Sequence, residues 1–105
     1  MRLWQCVHVP PAESYEGAAE LLKALAHPLR LQLVHELVAG PRCVHELVTA
    51  TGASQPLVSQ HLRVLRAAHV VVTERRAREV SYRLADEHVS HIALDAVRHS
   101  QEEQP

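Results

Sequence analysis

The sequence predicts a mainly α-helical domain that carries one small β-hairpin. Three observations predict it. Apolar residues recur at helical spacing in five stretches. Two β-branched or alternating runs, 70–73 and 79–84, flank an arginine-rich tip. Apolar residues make up 47% of the chain, yet Phe is absent and Trp4, Tyr15 and Tyr82 are its only aromatic residues, so the core must be built from Leu, Val and Ala. At 105 residues the chain fits one domain with a modest core, to which burial in a dimer would add.

Residues 1–12 read as an N-terminal arm, irregular through Val9-Pro10-Pro11, and 13–103 as the folded domain. Ala18, Leu21, Leu22 and Leu25 give a first helix over 13–26. His27-Pro28 interrupts the chain and starts a second helix, since Pro fits a first helical turn. Leu29, Leu31, Leu33, Val34 and Leu37 carry that helix until Gly40 ends it. A short third helix over 44–50 runs into the tight turn Thr51-Gly52-Ala53. Ser54 is a good N-cap for a fourth helix, with Pro56 tolerated in its first turn. Leu57, Val58, Leu62 and Leu65 of that helix are expected in the core. Residues 70–73 form a strand, 75–78 a charged tip, and 79–84 a strand with Val80, Tyr82 and Leu84 on one face. A final helix spans 86–100. A short helix, a Gly-containing turn and a helix with a polar start make a helix-turn-helix; the hairpin after it makes a wing.

Net charge is only −1, which does not by itself suggest a polyanion partner. Its distribution does. Six of the ten arginines lie between Arg63 and Arg83, opposed only by Glu74 and Glu79, and such a basic stripe is an electrostatic footprint for nucleic acid. Ser54, Gln55, Ser59, Gln60 and Arg63 suit base edges or phosphates in a major groove. His61 is either a further contact or a partly buried neighbour. Arg75, Arg76 and Arg78 of the wing would meet phosphate or the minor groove. The alternative is a solvated polar face, but a polar helix start and a basic hairpin occurring together favour double-stranded DNA. No apolar run approaches the roughly 18 residues of a membrane span, and Met1-Arg2 leads into no secretory core. Cys6 and Cys43 are too few for a disulfide framework, so a reducing cytoplasm is expected. With no nucleophile triad, Cys-x-x-Cys or phosphate-cradling Gly loop, an enzyme is not expected.

Nine histidines are the second anomaly. On the last helix His88, His91, Asp95, His99 and Glu102 fall within an arc of roughly 80°. Imidazole with carboxylate suits zinc and neighbouring divalent metals. Asp86 and His99 lie about 20 Å apart along a straight helix, so one chain cannot bring both to one ion. Two antiparallel copies could bring Asp86 and His88 of one chain to His99 and Glu102 of the other. His91, Asp95 and His99 within one helix, or a merely hydrated polar stripe, remain as alternatives.

Taken together, Leu-Lys-Ala-Leu-Ala-His-Pro-Leu-Arg (22–30), Cys-Val-His-Glu-Leu (43–47), Gln-Pro-Leu-Val-Ser-Gln-His-Leu-Arg-Val-Leu (55–65) and Arg-Glu-Val-Ser-Tyr-Arg-Leu (78–84) resemble the ArsR/SmtB family of metal-responsive repressors. The resemblance covers nearly the whole chain, from about residue 18 to 102. It implies a winged helix-turn-helix homodimer, joined through its N- and C-terminal helices, whose metal-free form binds palindromic operator DNA and whose metal-bound form lets go. The zinc-responsive members' pattern, Asp-x-His, then ten residues, then His-x-x-Glu or His-x-x-His, is matched by Asp86, His88, His99 and Glu102. It implies an inter-subunit zinc site, with cobalt or nickel as alternatives, and a hydrogen bond from His99 towards the backbone near Ala68 and His69. A second site of some members joins the arm to the third helix, which here would use Cys6, His8, Cys43 and Glu46. His45 stands where arsenic-type sensors carry a second cysteine, which speaks against arsenite. Ala77 stands at the wing tip where many relatives have Gly. The rival is a repressor of the same fold that answers to oxidation of Cys6 and Cys43, or to no metal.

Overall fold

The computed structural model describes residues 11–102. Among them five helices and a small antiparallel sheet follow in the order α1 (Ala12–Leu25), α2 (Pro28–Leu37), β1 (Arg42–Cys43), α3 (Val44–Thr51), α4 (Gln55–Ala67), β2 (Val71–Arg76), β3 (Glu79–Leu84) and α5 (Glu87–Glu102). This is a winged helix-turn-helix, with α3 and α4 as the helix pair and β2–β3 as the wing.

The joints follow from local chemistry. His27 is the N-cap of α2: its Nδ1 accepts the Leu29 N–H at 3.1 Å, and Pro28 in the first turn has no N–H to satisfy. Gly52 closes α3 at φ +75, a left-handed position where a side chain would be strained. Ser54 then caps α4, its hydroxyl accepting the Leu57 N–H at 3.4 Å. At the far end of α4 the Val70 N–H donates to the Leu65 carbonyl at 2.9 Å and the His69 N–H to that of Arg66 at 3.0 Å. This is a Schellman turn, with His69 at φ +61 where glycine is usual.

The sheet order is β1-β3-β2. The two-residue strand β1, pairing Arg42 with Tyr82 and Cys43 with Ser81, was not expected from sequence. Two residues carry no periodicity, and the strand exists only because β3 offers it an edge. The hairpin is also longer than expected: Arg75 and Arg76 lie within β2, so the tip shrinks to Ala77 and Arg78.

Leu33, Val34, Leu47, Val58, Leu62, Leu65 and Val70 are fully buried and knit α2, α3, α4 and the start of the wing into one core, which Val89 and Ala93 extend to α5. Leu57 departs from expectation. It is 41% exposed and takes no part in the core, because it lies on the flank of α4 rather than on the stripe of Val58, Leu62 and Leu65. No helix among the described residues is long and apolar enough to cross a membrane.

Ala77 adopts φ +55, so its Cβ is strained against the backbone. Relief of that strain outweighs the extra freedom glycine gives the unfolded chain. Ala77→Gly is therefore expected to stabilise the fold by about 0.5–1 kcal/mol in urea unfolding, and Ala77→Val to destabilise it.

Candidate nucleic-acid interface and metal-ligand helix

The outer face of α4 carries the side chains expected to read DNA. Gln55, Gln60 and Arg63 are exposed, and Ser59 is half-buried. Ser54 is exposed as well, but its hydroxyl is engaged in capping the helix. His61 is turned inward and is 6% exposed. It lies on the same stripe as Val58, Leu62 and Leu65, so it cannot share the polar face of Gln60 and Arg63. This corrects its place among the expected contacts.

The inward position of His61 is supported by partners that the sequence did not suggest. Arg30 of α2 donates its Nε to His61 Nδ1 at 3.0 Å and its Nη1 to the Ala24 carbonyl of α1 at 3.1 Å. The His27 ring lies 4.4 Å from that of His61, centroid to centroid. Burial, then the neighbouring charges of His27 and Arg30, holds the His61 imidazole below the usual histidine range. The ring is thus neutral and accepts at Nδ1. Arg30 and His61 are separated by 31 residues, which no local pattern bridges. The one available hint was a histidine, His61, on an otherwise apolar helix face.

Beyond α4, the wing exposes Arg75, Arg76 and Arg78. Glu74 stands among them with its side chain 31% exposed. Its Oε1 accepts from Arg83 Nε in an ion pair, and its Oε2 lies 3.9 Å from Arg76 Nε. The hairpin face shared by Glu74, Arg76 and Arg83 therefore carries both cations and an acidic counterweight.

On α5 the metal-ligand types are solvent-facing, as the stripe requires: Asp86, just before the helix, and His88, His91, Asp95, His99 and Glu102 are all exposed. Asp86 Oδ1 accepts the Val89 N–H at 3.2 Å, capping the helix, and lies 3.5 Å from His88 Nδ1. Asp95 pairs with Arg98 at 3.4 Å. Within one chain the structure brings Asp86 to His88. It does not bring either to His99 and Glu102 at the other end of the helix, and among the described residues no three His, Cys, Asp or Glu side chains gather. Of the second expected ligand set, Cys43 is half-buried at the start of α3 and Glu46 is exposed beside it. The Glu46 carboxylate accepts the Cys43 N–H at 2.9 Å. That bond, then one from the thiol, then the charge of Arg42, holds Glu46 below the usual carboxylate range. Cys6 and His8 lie outside the described residues.

Comparison with known proteins places this geometry in context. Residues 27–72, which span α2 to the start of the wing, match the family described as "Bacterial regulatory protein, arsR family". The chain is 57% identical over 94 residues to the HTH-type transcriptional repressor SmtB of Mycobacterium tuberculosis, covering 90% of this chain and 70% of the relative. It is 41% identical over 93 residues to the HTH-type transcriptional regulator NmtR of the same organism, covering 87% and 78%. Among solved structures, the homodimeric winged helix-turn-helix DNA-binding domain of a Mycobacterium bovis protein superposes with a TM-score of 0.79 at 30% identity, covering 90% of this chain and 87% of that one.

Proposed function

Because the chain belongs to the arsR family of bacterial regulatory proteins, we propose that it is a homodimeric transcriptional repressor that holds palindromic operator DNA when metal-free and releases it on binding a divalent cation, zinc ahead of cobalt or nickel. The observation that carries the DNA half is the shared exposure of Gln55, Gln60, Arg63 and the wing arginines after a helix-turn-helix. Gln55 and Gln60 suit adenine edges, Arg63 suits guanine or phosphate, and Arg75, Arg76 and Arg78 suit backbone phosphate. Ser54 orients the start of α4 by capping it, and Ser59 adds a polar contact beside Gln60. Two copies would set two such helices in successive major grooves.

The cation half rests on the donors of α5. Asp86, His88, His99 and Glu102 offer two imidazoles and two carboxylates, a set that fits a closed four-coordinate zinc site. They are exposed, and Asp86 and His88 already stand together. Since one chain separates the two pairs, the set is completed across two chains, and a two-fold dimer carries it twice. A bound divalent cation would tie the two α5 helices together electrostatically. For that, His88 and His99 must bind as neutral imidazoles and Asp86 and Glu102 as carboxylates. Cys43 and Glu46, with Cys6 and His8 of the arm, supply a second donor set whose use is a separate question.

The test is binding of the metal-free protein to a duplex selected from a random pool, at fixed salt, with and without zinc. A coupling of about 1–3 kcal/mol is expected, weakening DNA binding roughly 5- to 150-fold, and His88→Ala with His99→Ala should abolish it. If binding is tight and indifferent to zinc, the repressor stands and the sensor does not. Oxidant titration of Cys6→Ser and Cys43→Ser variants then tests the thiol alternative.

A further inference from the structure

The wing holds one acid in a position that its function as a basic hairpin does not require. Glu74 pairs with Ser81 across the β2–β3 ladder, and Arg83 lies two residues further along β3 on the same face. The Glu74 carboxylate accepts from Arg83 Nε, while Arg83 Nη1 donates to the Leu84 carbonyl at 3.2 Å. The Ser81 hydroxyl donates to the Glu74 backbone carbonyl at 3.5 Å, tying the strand at the same level. Arg76, 79% exposed, stands 3.9 Å from the other carboxylate oxygen. Arg83 is thus held at two of its groups and is 44% exposed, whereas Arg76 is tethered loosely and can leave.

We propose that Glu74 is a positioning residue that acts as an internal stand-in for phosphate: it sequesters Arg83, so that the wing offers DNA only Arg75, Arg76 and Arg78. A carboxylate oxygen accepts a charge-assisted hydrogen bond from the guanidinium as a phosphate oxygen does. An arginine so held exchanges one anion for another on meeting DNA and gains little. The consequence is a wing whose sequence-independent affinity is set below what its arginine content allows. That keeps more of the binding energy in the base contacts of α4. This inference rests on the hairpin being a DNA-contacting wing.

The experiment is a salt titration of binding to a long mixed-sequence duplex, using the metal-free full chain. Each phosphate contact contributes about 0.9 to the slope of log affinity against log salt, so freeing one arginine per protomer in Glu74→Gln should steepen the slope of the dimer by about 1.8. Arg83→Gln alone should leave the slope nearly unchanged. Arg83→Gln in the Glu74→Gln background should return it to the wild-type value. Glu79→Gln, which removes an equal charge opposite Arg76 rather than beside Arg83, controls for net charge. Equal slopes for Glu74→Gln and Glu79→Gln would overturn the proposal, as would an equal loss from Arg83→Gln in both backgrounds. Should the wild-type chain fail to bind the duplex at all, the DNA assignment itself fails and this inference goes with it.

Discussion

Leu62→Ala is expected to cost 2–5 kcal/mol, while Leu57→Ala, five residues earlier on the same helix, should cost no more than about 0.5 kcal/mol. Leu62 is fully buried where α2, α3, α4 and β2 meet, and its removal leaves a cavity that fixed neighbours on all sides cannot close. Leu57 stands 41% exposed outside that cluster, so its loss leaves no cavity. A domain this small holds only about 5–15 kcal/mol in total, so Leu62→Ala consumes a large share of it. Urea unfolding followed by circular dichroism measures both. A cost below about 1 kcal/mol for Leu62→Ala would mean that α4 is not seated by this stripe. The consequence reaches function, because the same stripe fixes which face of α4 points outward. A variant with Leu62 truncated should lose DNA affinity even where it remains folded, whereas Leu57→Ala should leave the helix in place.

This pair of leucines also shows how far the sequence could be read. The helical period placed Val58, Leu62 and Leu65 correctly, because three residues at i, i+4 and i+7 define one stripe. It could not place Leu57, which is apolar but one position off that stripe. The turn residues were readable for a similar reason. Gly52, Ser54 and Pro28 each have a backbone or capping preference strong enough to act locally, and each sits where that preference puts it. The family and the winged helix were therefore within reach of motif order alone. What was out of reach depends on contacts distant in sequence: the β1 edge against β3, the Arg30–His61 bond and the Glu74–Arg83 pair. The metal donors fall between these cases. Their spacing on α5 was apparent, but a set completed by a second chain cannot be seen in one.

The second large effect is acid sensitivity centred on His61. The ring is buried and neutral in the fold, with Nδ1 accepting from Arg30 and the His27 ring packed beside it. Protonation would put a proton on the accepting nitrogen and a positive charge beside the Arg30 guanidinium and the His27 ring. Burial first, and then those neighbouring charges, accordingly depress the His61 pKa. In the unfolded chain the same imidazole titrates near 6.5. The unfolded state therefore binds a proton at a pH where the folded state does not. Its contribution is fully present above about pH 6.5 and is lost as pH falls from there through the lower folded value. Across that window, stability should fall by up to about 1.4 kcal/mol per pH unit from this one group. Among the described residues, His27 at the N-cap of α2 and Arg30 within it are the groups that shift the ring electrostatically, so the effect is assignable. Unfolding free energies between pH 7.5 and 5 for wild type and His61→Gln would measure it. The variant is expected to be less stable at pH 7.5, through lost packing, and flatter towards acid; parallel pH profiles for the two would refute the assignment. Because Arg30 also holds the end of α1 through the Ala24 carbonyl, acid should loosen α1 and α4 together. Amide exchange at the C-terminal turn of α1 should accelerate at pH 5.5 relative to a core amide such as that of Leu47, after correction for intrinsic rates, and His61→Gln should remove the pH dependence of that difference.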